Sequence, residues 1–210
     1  PSAADLSKAI FDDDEVSLKS GYEACSFGKL KLNKATGKKI NDGVLEVKID
    51  IDTDDKDHKW LGEKILKAAE EKLEITHIEK NYDFIMICLP WGTNLKAASA
   101  GEKGNQKPGS VSYFNPKYIR NPKTQMHEIG HNLGFEHSAY KTDNDGDKSC
   151  IMSSTSIETD GPKLCFNGVK SYLTGWYKNE TIHFFPKRNT SKQLWDGKLV
   201  GVTDYDPDNK

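Results

Sequence analysis

Hydrophobic and polar positions in the first half of the chain predict two strands with a helix between them. Residues 44–51 (VLEVKIDI) alternate apolar and polar side chains, which is typical of a half-buried strand. Residues 59–73 place apolar side chains at helical spacing, and residues 84–89 form an apolar run that suits a buried strand. This order predicts a crossover connection and parallel pairing of the two strands.

The neighbouring segments are less regular. Residues 15–33 predict strands and turns, with Gly21 and Gly28 as turn residues. Residues 92–110 are rich in Gly, Ser, Asn and Lys and predict a mobile surface loop. Residues 111–114 predict a short strand, which we place at the edge of the sheet.

Helix signals return in the second half of the chain. An Asn-Pro pair precedes a helix predicted over residues 124–133, and Gly134 suits a left-handed position at its end. Residues 163–177 predict a last long helix. Residues 179–210 are polar and turn-rich, with short strand-like pieces.

The stretch HEIGHNLGFEH carries the candidate chemistry. His127 and His131 are four positions apart, so on a helix they share one face and can bind one ion. Glu128 lies beside the first ligand and can act as a general base without taking a coordination position. Gly134 allows a sharp turn out of the helix, which brings His137 back as a third ligand. Three protein ligands leave a fourth position open, so the stretch predicts one catalytic Zn2+.

The spacing HExxHxxGxxH is specific. At the residue frequencies of this chain, its five fixed positions recur by chance on the order of 10⁻⁵ times per chain. An amphipathic helix with incidental histidines is the alternative interpretation. That interpretation explains neither His137 nor Gly134.

A methionine downstream adds a second signal. Met152 follows a polar loop, fifteen residues after His137. A methionine turn beneath the metal is the second hallmark of metzincin peptidases. Simple core packing would also explain a methionine here. The methionine-turn interpretation therefore rests on the position of Met152 after the zinc motif.

Composition and charge narrow the classes of function. The chain has 210 residues, 35% of them hydrophobic and 30% charged, and a formal net charge of -2, which suits one globular domain. No segment is dominated by Lys or Arg, so we expect no nucleic-acid or membrane partner. No apolar run approaches the roughly 18 to 20 residues that span a bilayer. The chain begins at Pro1 without a leader, so we expect a mature or trimmed form, and a monomer.

The four cysteines favour an oxidising compartment. Cys150 with Cys165 would close a short local loop, and Cys25 would then pair with Cys88. Two Asn-x-Ser/Thr acceptor sites within residues 179–191 point the same way. The alternative is four reduced cysteines in a cytosolic protein. We expect a secreted protein with two disulfides.

Two acidic segments raise the question of calcium. Residues 50–57 (DIDTDDKD) lack the Gly and the Glu that an EF-hand loop needs, since Asp55 and Leu61 occupy those positions. A helix N-terminus, where the dipole favours negative charge, explains these residues better. Residues 143–147 (DNDGD) favour a tight turn. Ca2+ is therefore conceivable but not favoured.

Several blocks together resemble the gametolysin family, a metzincin branch of secreted peptidases. They are HEIGHNLGFEHS, DNDGDKSCIM, CFNGVKSYLTGWY, SLKSGYEACSFGKLKLN and YDFIMICLP, so the likeness covers most of residues 15–177. The resemblance implies extracellular protein substrates, with hydroxyproline-rich wall glycoproteins as one candidate. It also implies β structure beyond Lys210, so we expect a trimmed chain. Some relatives have Gln in place of the first metal ligand, whereas this chain has His127.

We therefore predict an α/β (α+β) metzincin-like fold with a twisted mixed sheet, an active-site zinc helix, a methionine turn and a C-terminal helix. Residues 1–210 would form one catalytic domain, with a substrate cleft between an N-terminal part (1–137) and a C-terminal part (138–210). The predicted activity is that of a secreted zinc endopeptidase acting on extended polypeptides, which could pair with residues 111–114. Two alternatives stay open: a binding module without turnover, against which Glu128 argues, and a zinc hydrolase of a non-peptide bond.

Overall fold

The computed structural model describes most of the chain. The described residues are 1–14, 16–95, 99–101, 109–153 and 164–177. The strand-like pieces and the Asn-x-Ser/Thr sites predicted within residues 179–210 lie outside them. The division into parts at residues 137 and 138 stays a prediction.

Five α-helices, a 3₁₀ helix (Ile78–Lys80) and three strands make up the described fold. The helices are α1 (Ala3–Phe11), α2 (Leu18–Cys25), α3 (His58–Leu73), α4 (Pro122–Asn132) and α5 (Gly168–Leu173). The strands are β1 (Phe84–Cys88), β2 (Ser99–Gly101) and β3 (Ser110–Phe114). None of these helices is both long and apolar enough to cross a membrane.

The strands form one mixed sheet in the order β1-β3-β2. β1 runs parallel to β3, with Phe84 opposite Ser110, and β2 runs antiparallel to β3. The prediction of residues 111–114 as an edge strand is therefore wrong, because β3 lies in the centre of the sheet. The edges of the described sheet are β1 and β2, and β2 lies inside the segment predicted to be a loop.

The strand predicted at residues 44–51 does not form. Only an isolated bridge joins Asn41 to Val44, and the parallel partner of β1 is β3. The predicted alternation of burial is nevertheless present, since Leu45, Val47 and Ile49 are half-buried and the residues between them are exposed. These three side chains line an apolar cavity together with residues of β1. Alternation reports which side chains face the core, but it does not supply a hydrogen-bonding partner.

Helix α2 replaces the strands and turns predicted for residues 15–33. The Ser17 hydroxyl caps it by accepting a hydrogen bond from the Ser20 backbone N–H at 3.1 Å. Gly21 lies within this helix and is not a turn residue: a Cβ there would come within 2.7 Å of the Met126 sulfur. A side chain at this position would therefore displace the Met126 side chain where α2 packs on α4. Gly28, with φ of +71°, does form a turn after the helix.

The other helices agree more closely with those predicted from the sequence. α3 begins where predicted, and the Asp57 carboxylate accepts hydrogen bonds from the backbone N–H groups of Lys59 and Trp60. The acidic segment thus supplies a helix cap, as expected. α5 is shorter than the long helix predicted over residues 163–177, because it starts after its Asn167 cap and the chain turns at Gly175 with φ of +73°.

Two hydrophobic clusters hold these elements together. The first joins α1, α2 and α4 to residues 150–152 and to Phe166 and Trp176. The second lies between α3 and the sheet, around Leu61 and Tyr113. Helix α4 thus has one side in the larger core, which fixes where its other side points.

The predicted disulfide pairing is wrong. The structure joins Cys25 to Cys165, with 5.3 Å between their Cα atoms, and leaves Cys88 and Cys150 as free thiols. Helix α2 carries Cys25 to the C-terminal segment, where Cys165 lies. Cys150 instead accepts a hydrogen bond from the Asn167 backbone N–H at 3.2 Å.

Loss of this disulfide should destabilise the fold strongly. It spans 140 residues, and constraining so long a loop in the unfolded chain stabilises the native state by about 2–5 kcal/mol. The double variant Cys25→Ala/Cys165→Ala should therefore unfold at lower urea concentration than the wild type. Cys88→Ala serves as the control, and an unchanged midpoint for the double variant would contradict the pairing.

Candidate metal centre

Helix α4 is anchored on both sides by buried polar contacts. On the sheet side, the Ser112 hydroxyl donates to Asn132 Oδ1 at 2.7 Å, and Asn132 Nδ2 donates to the Val111 carbonyl at 3.2 Å. On the α2 side, the buried Tyr22 hydroxyl donates to the Met126 carbonyl at 2.8 Å. Burial raises the pKa of Tyr22 well above its usual value, so this donor keeps its proton.

Met152 packs directly under the helix. A Cβ at Gly130 would lie 2.3 Å from the Met152 sulfur and 3.0 Å from the Phe166 ring, so only glycine permits this contact. The Met152 side chain is fully buried. Its position beneath the metal helix agrees with the expected methionine turn, although the assignment itself stays a prediction.

The chain leaves α4 through a left-handed residue. Gly134 has φ of +90°, its N–H donates to the His131 carbonyl at 2.8 Å, and the Phe135 N–H donates to the Gly130 carbonyl at 3.0 Å. This turn brings His137 back towards the helix, as its position in the motif predicts.

The three predicted ligands come together. One ligand atom from each of His127, His131 and His137 lies within 4.8 Å of the others. The Nε2 atoms of His127 and His137 are 3.3 Å apart. Two imidazole nitrogens about 2.0–2.1 Å from a tetrahedral zinc ion would be about 3.3–3.4 Å apart, so the donor set fits zinc.

The second nitrogen of each ring already has a partner. His127 Nδ1 lies 2.9 Å from the Ile151 carbonyl, and His131 Nδ1 lies 2.7 Å from the Phe135 carbonyl. Because a carbonyl can only accept, both Nδ1 atoms carry the proton and both Nε2 atoms are left as ligands. His137 Nδ1 lies 2.8 Å from Asp145 Oδ1.

Burial keeps two of the rings neutral. It lowers the pKa of His131 to about 4 and also lowers that of His127, against the opposing effect of their carbonyl partners. Neutral imidazole is the form that binds a metal. Both rings are therefore ready to bind a metal at neutral pH.

Glu128 lies on α4 next to the first ligand and is buried, with 6% of its surface exposed. It is not among the residues whose ligand atoms converge within the described part of the chain. The role of Glu128 as a general base stays a prediction.

Sequence reasoning missed the partners of the ligands. The backbone carbonyls of Phe135 and Ile151 could not be identified from the sequence, because every residue has a carbonyl. Asp145 stood in the DNDGD segment, which was interpreted only as a turn. The turn does form, since the Gly146 N–H donates to the Asp143 carbonyl at 3.2 Å. Calcium there stays the less favoured expectation.

The family model described as Gametolysin peptidase M11 matches residues 5–197. The chain belongs to the gametolysin family of peptidases. The comparison with curated proteins gives no match. Family membership makes the chain a metallopeptidase, and together with the three histidines it indicates zinc as the metal.

Acid should destabilise the zinc-free protein through these histidines. In the unfolded chain His131 titrates near its ordinary pKa of 6.5, whereas in the folded chain its pKa is about 4. The unfolded chain therefore binds more protons below pH 6.5, and the free energy of unfolding falls as the pH drops from about 6.5 towards 4. Urea unfolding of the metal-free protein across this range measures the effect.

The matched variant is His131→Asn, which removes the titrating group and keeps a polar side chain. Its free energy of unfolding should depend less on pH than that of the wild type in this range. Equal pH dependence in the two proteins would contradict the lowered pKa.

Proposed function

We propose that this chain is a secreted zinc endopeptidase that hydrolyses peptide bonds in extracellular or cell-wall proteins, with Glu128 as its general base. The observation that carries the proposal is the convergence of ring nitrogens from three histidines in a member of a peptidase family. His127, His131 and His137 would hold the metal. When bound, zinc supplies Lewis acidity that activates water and polarises the scissile carbonyl.

Glu128 handles the proton in this reaction. Its carboxylate accepts a proton from the attacking water and then gives it to the leaving amine nitrogen, so the same group serves as base and acid. Its burial on α4 favours this role, because a fixed carboxylate shielded from bulk water needs little reorganisation during the reaction. Its position next to His127 on the same helix supports this role.

The sheet edge supports an extended polypeptide as the substrate. β2 packs against α4, and in the described part of the chain only its β3 side is paired. A peptide added to the other side of β2 would run along the helix that carries the metal ligands. Backbone hydrogen bonds would hold it in register by strand addition.

Secretion is supported by the Cys25–Cys165 disulfide, because such bonds persist in oxidising compartments. An extracellular protease would act in that environment. The hydroxyproline-rich wall glycoproteins suggested by the family resemblance fit the same location.

Replacing Glu128 should abolish turnover without removing the metal. We expect Glu128→Gln to bind one zinc per chain like the wild type and to cleave gelatin about 10²–10⁴-fold more slowly, because only proton transfer is lost. Zinc content and cleavage are measured on the same samples. Glu136→Gln is the matched control, since Glu136 is an exposed glutamate in the same motif.

Two results would count against this role. If Glu128→Gln cleaves gelatin as fast as the wild type, Glu128 is not the general base. If the wild type binds zinc but does not cleave, the chain is better explained as a binding module.

A complex with a peptide-like inhibitor tests the substrate groove. We expect its backbone to make hydrogen bonds with β2 and to lie antiparallel or parallel to that strand. A bound inhibitor without main-chain bonds to β2 would rule out strand addition at this edge.

A further inference from the structure

His137 differs from the other two ligands in what holds it. His127 and His131 are on a helix, and each ring faces a backbone carbonyl. His137 lies beyond the helix, its side chain is 45% exposed, and its Nδ1 faces the Asp145 carboxylate at 2.8 Å. The ligand with the least support from secondary structure is therefore the one with a charged partner.

The Asp145 oxygen is committed to this ring. Oδ1 is closed off from solvent and makes no hydrogen bond to another group among the described residues. Its contact with His137 meets the distance of an ion pair, but it is not aligned as a hydrogen bond with the ring N–H. The 2.8 Å between Nδ1 and Oδ1 is a hydrogen-bonding separation, so the carboxylate lies where it can accept from the ring.

Asp145 is positioned by contacts that do not involve His137. The Ser153 hydroxyl donates to the Asp145 carbonyl at 2.7 Å, and Lys148 Nζ donates to the same carbonyl at 2.8 Å. The Asp145 backbone N–H donates to Asp143 Oδ1 at 2.9 Å. The carboxylate is thus presented by a loop with its own hydrogen bonds.

This loop is also tied to the segment beneath the helix. The Ser138 N–H donates to the Met152 carbonyl at 2.9 Å, and the Asp147 N–H donates to the Ser138 carbonyl at 3.0 Å. The adjacent Ile151 supplies the carbonyl that holds His127. One connected segment, residues 138–153, therefore orients two of the three ligands.

We propose that Asp145 is a positioning residue that fixes the tautomer and direction of the His137 ring and thereby tightens zinc binding. The inference rests on the proposed zinc site. The carboxylate holds the proton on Nδ1, which leaves the lone pair of Nε2 for the metal, and its negative charge makes that nitrogen a stronger donor. Partners of this kind are worth about 10–100-fold in metal affinity.

The test measures zinc affinity of the full chain by competition with a chromophoric chelator, after removal of metal. Asp145→Ala should weaken zinc binding about 10–100-fold. Asp145→Asn should lie between Asp145→Ala and the wild type, because its amide oxygen accepts from Nδ1 but carries no charge. Asp143→Asn removes one charge from the same loop, can keep the bond to the Asp145 N–H, and should bind zinc like the wild type.

A second readout separates positioning from a general loss of structure. Long-range nitrogen–proton NMR spectra of the metal-free protein should show the proton of His137 on Nδ1 in the wild type and a mixture of tautomers in Asp145→Ala. The His127 and His131 signals should be unchanged. If Asp145→Ala fails to fold, Asp145→Asn should show a smaller loss of the Nδ1-protonated form, because its amide oxygen still accepts from Nδ1.

The outcomes distinguish this inference from the proposed function. If the wild type binds no zinc, the zinc peptidase proposal fails. If the wild type binds zinc and both Asp145 variants bind it equally well, the role of Asp145 is overturned. Equal weakening in Asp143→Asn would also overturn it, because the effect would then belong to the charge of the loop.

Discussion

The metal site depends on the left-handed turn at Gly134. Helical geometry aligns His127 and His131, but a continued helix would carry His137 away from them. With φ of +90° the chain reverses there, and the ligand atoms of the three rings come within 4.8 Å of one another. A side chain at this position would strain the backbone, since left-handed conformations cost L-residues roughly 1–2 kcal/mol. One residue without a side chain therefore converts a two-ligand helix into a three-ligand site.

The turn can bring His137 to the other two histidines because the helix that it ends is held in place. α4 is held from below by the contact between Gly130 and the Met152 sulfur, and from the side by Asn132 bonded to β3. The same segment that carries Met152 also supplies the Ile151 carbonyl that orients His127. Packing and ligand orientation thus come from the same residues. This explains why the buried Met152 lies in the centre of the arrangement.

The local parts of the fold and site could be predicted from the sequence, but contacts between distant segments could not. The histidine spacing predicted α4 and the convergence of the three rings, because a helix converts spacing directly into geometry. The burial pattern of residues 45–49 was predicted as well, since alternation reflects the core. The order of the strands was not predicted, because no local sequence pattern encodes which strand β1 pairs with. The pairing of Cys25 with Cys165 was not predicted for the same reason. Proximity in sequence favoured Cys150 as the partner of Cys165.

The placement of a helix at α2 was missed for a different reason. Glycine at position 21 was interpreted as a turn, whereas its role is to let two helices approach closely. Asp145 was likewise interpreted through its local turn chemistry, and its contact with His137 appears only when the loop is folded back on the helix. In both cases the role of the residue depends on a contact with another segment, and the local sequence does not show that contact.

The most direct test of the account is to determine the metal and its ligands in the purified protein by X-ray absorption spectroscopy at the zinc edge. The account predicts one zinc ion per chain, with three imidazole nitrogens at about 2.0–2.1 Å. A chain without zinc, or zinc bound through the sulfur of Cys88 or Cys150, would contradict the site described at His127, His131 and His137.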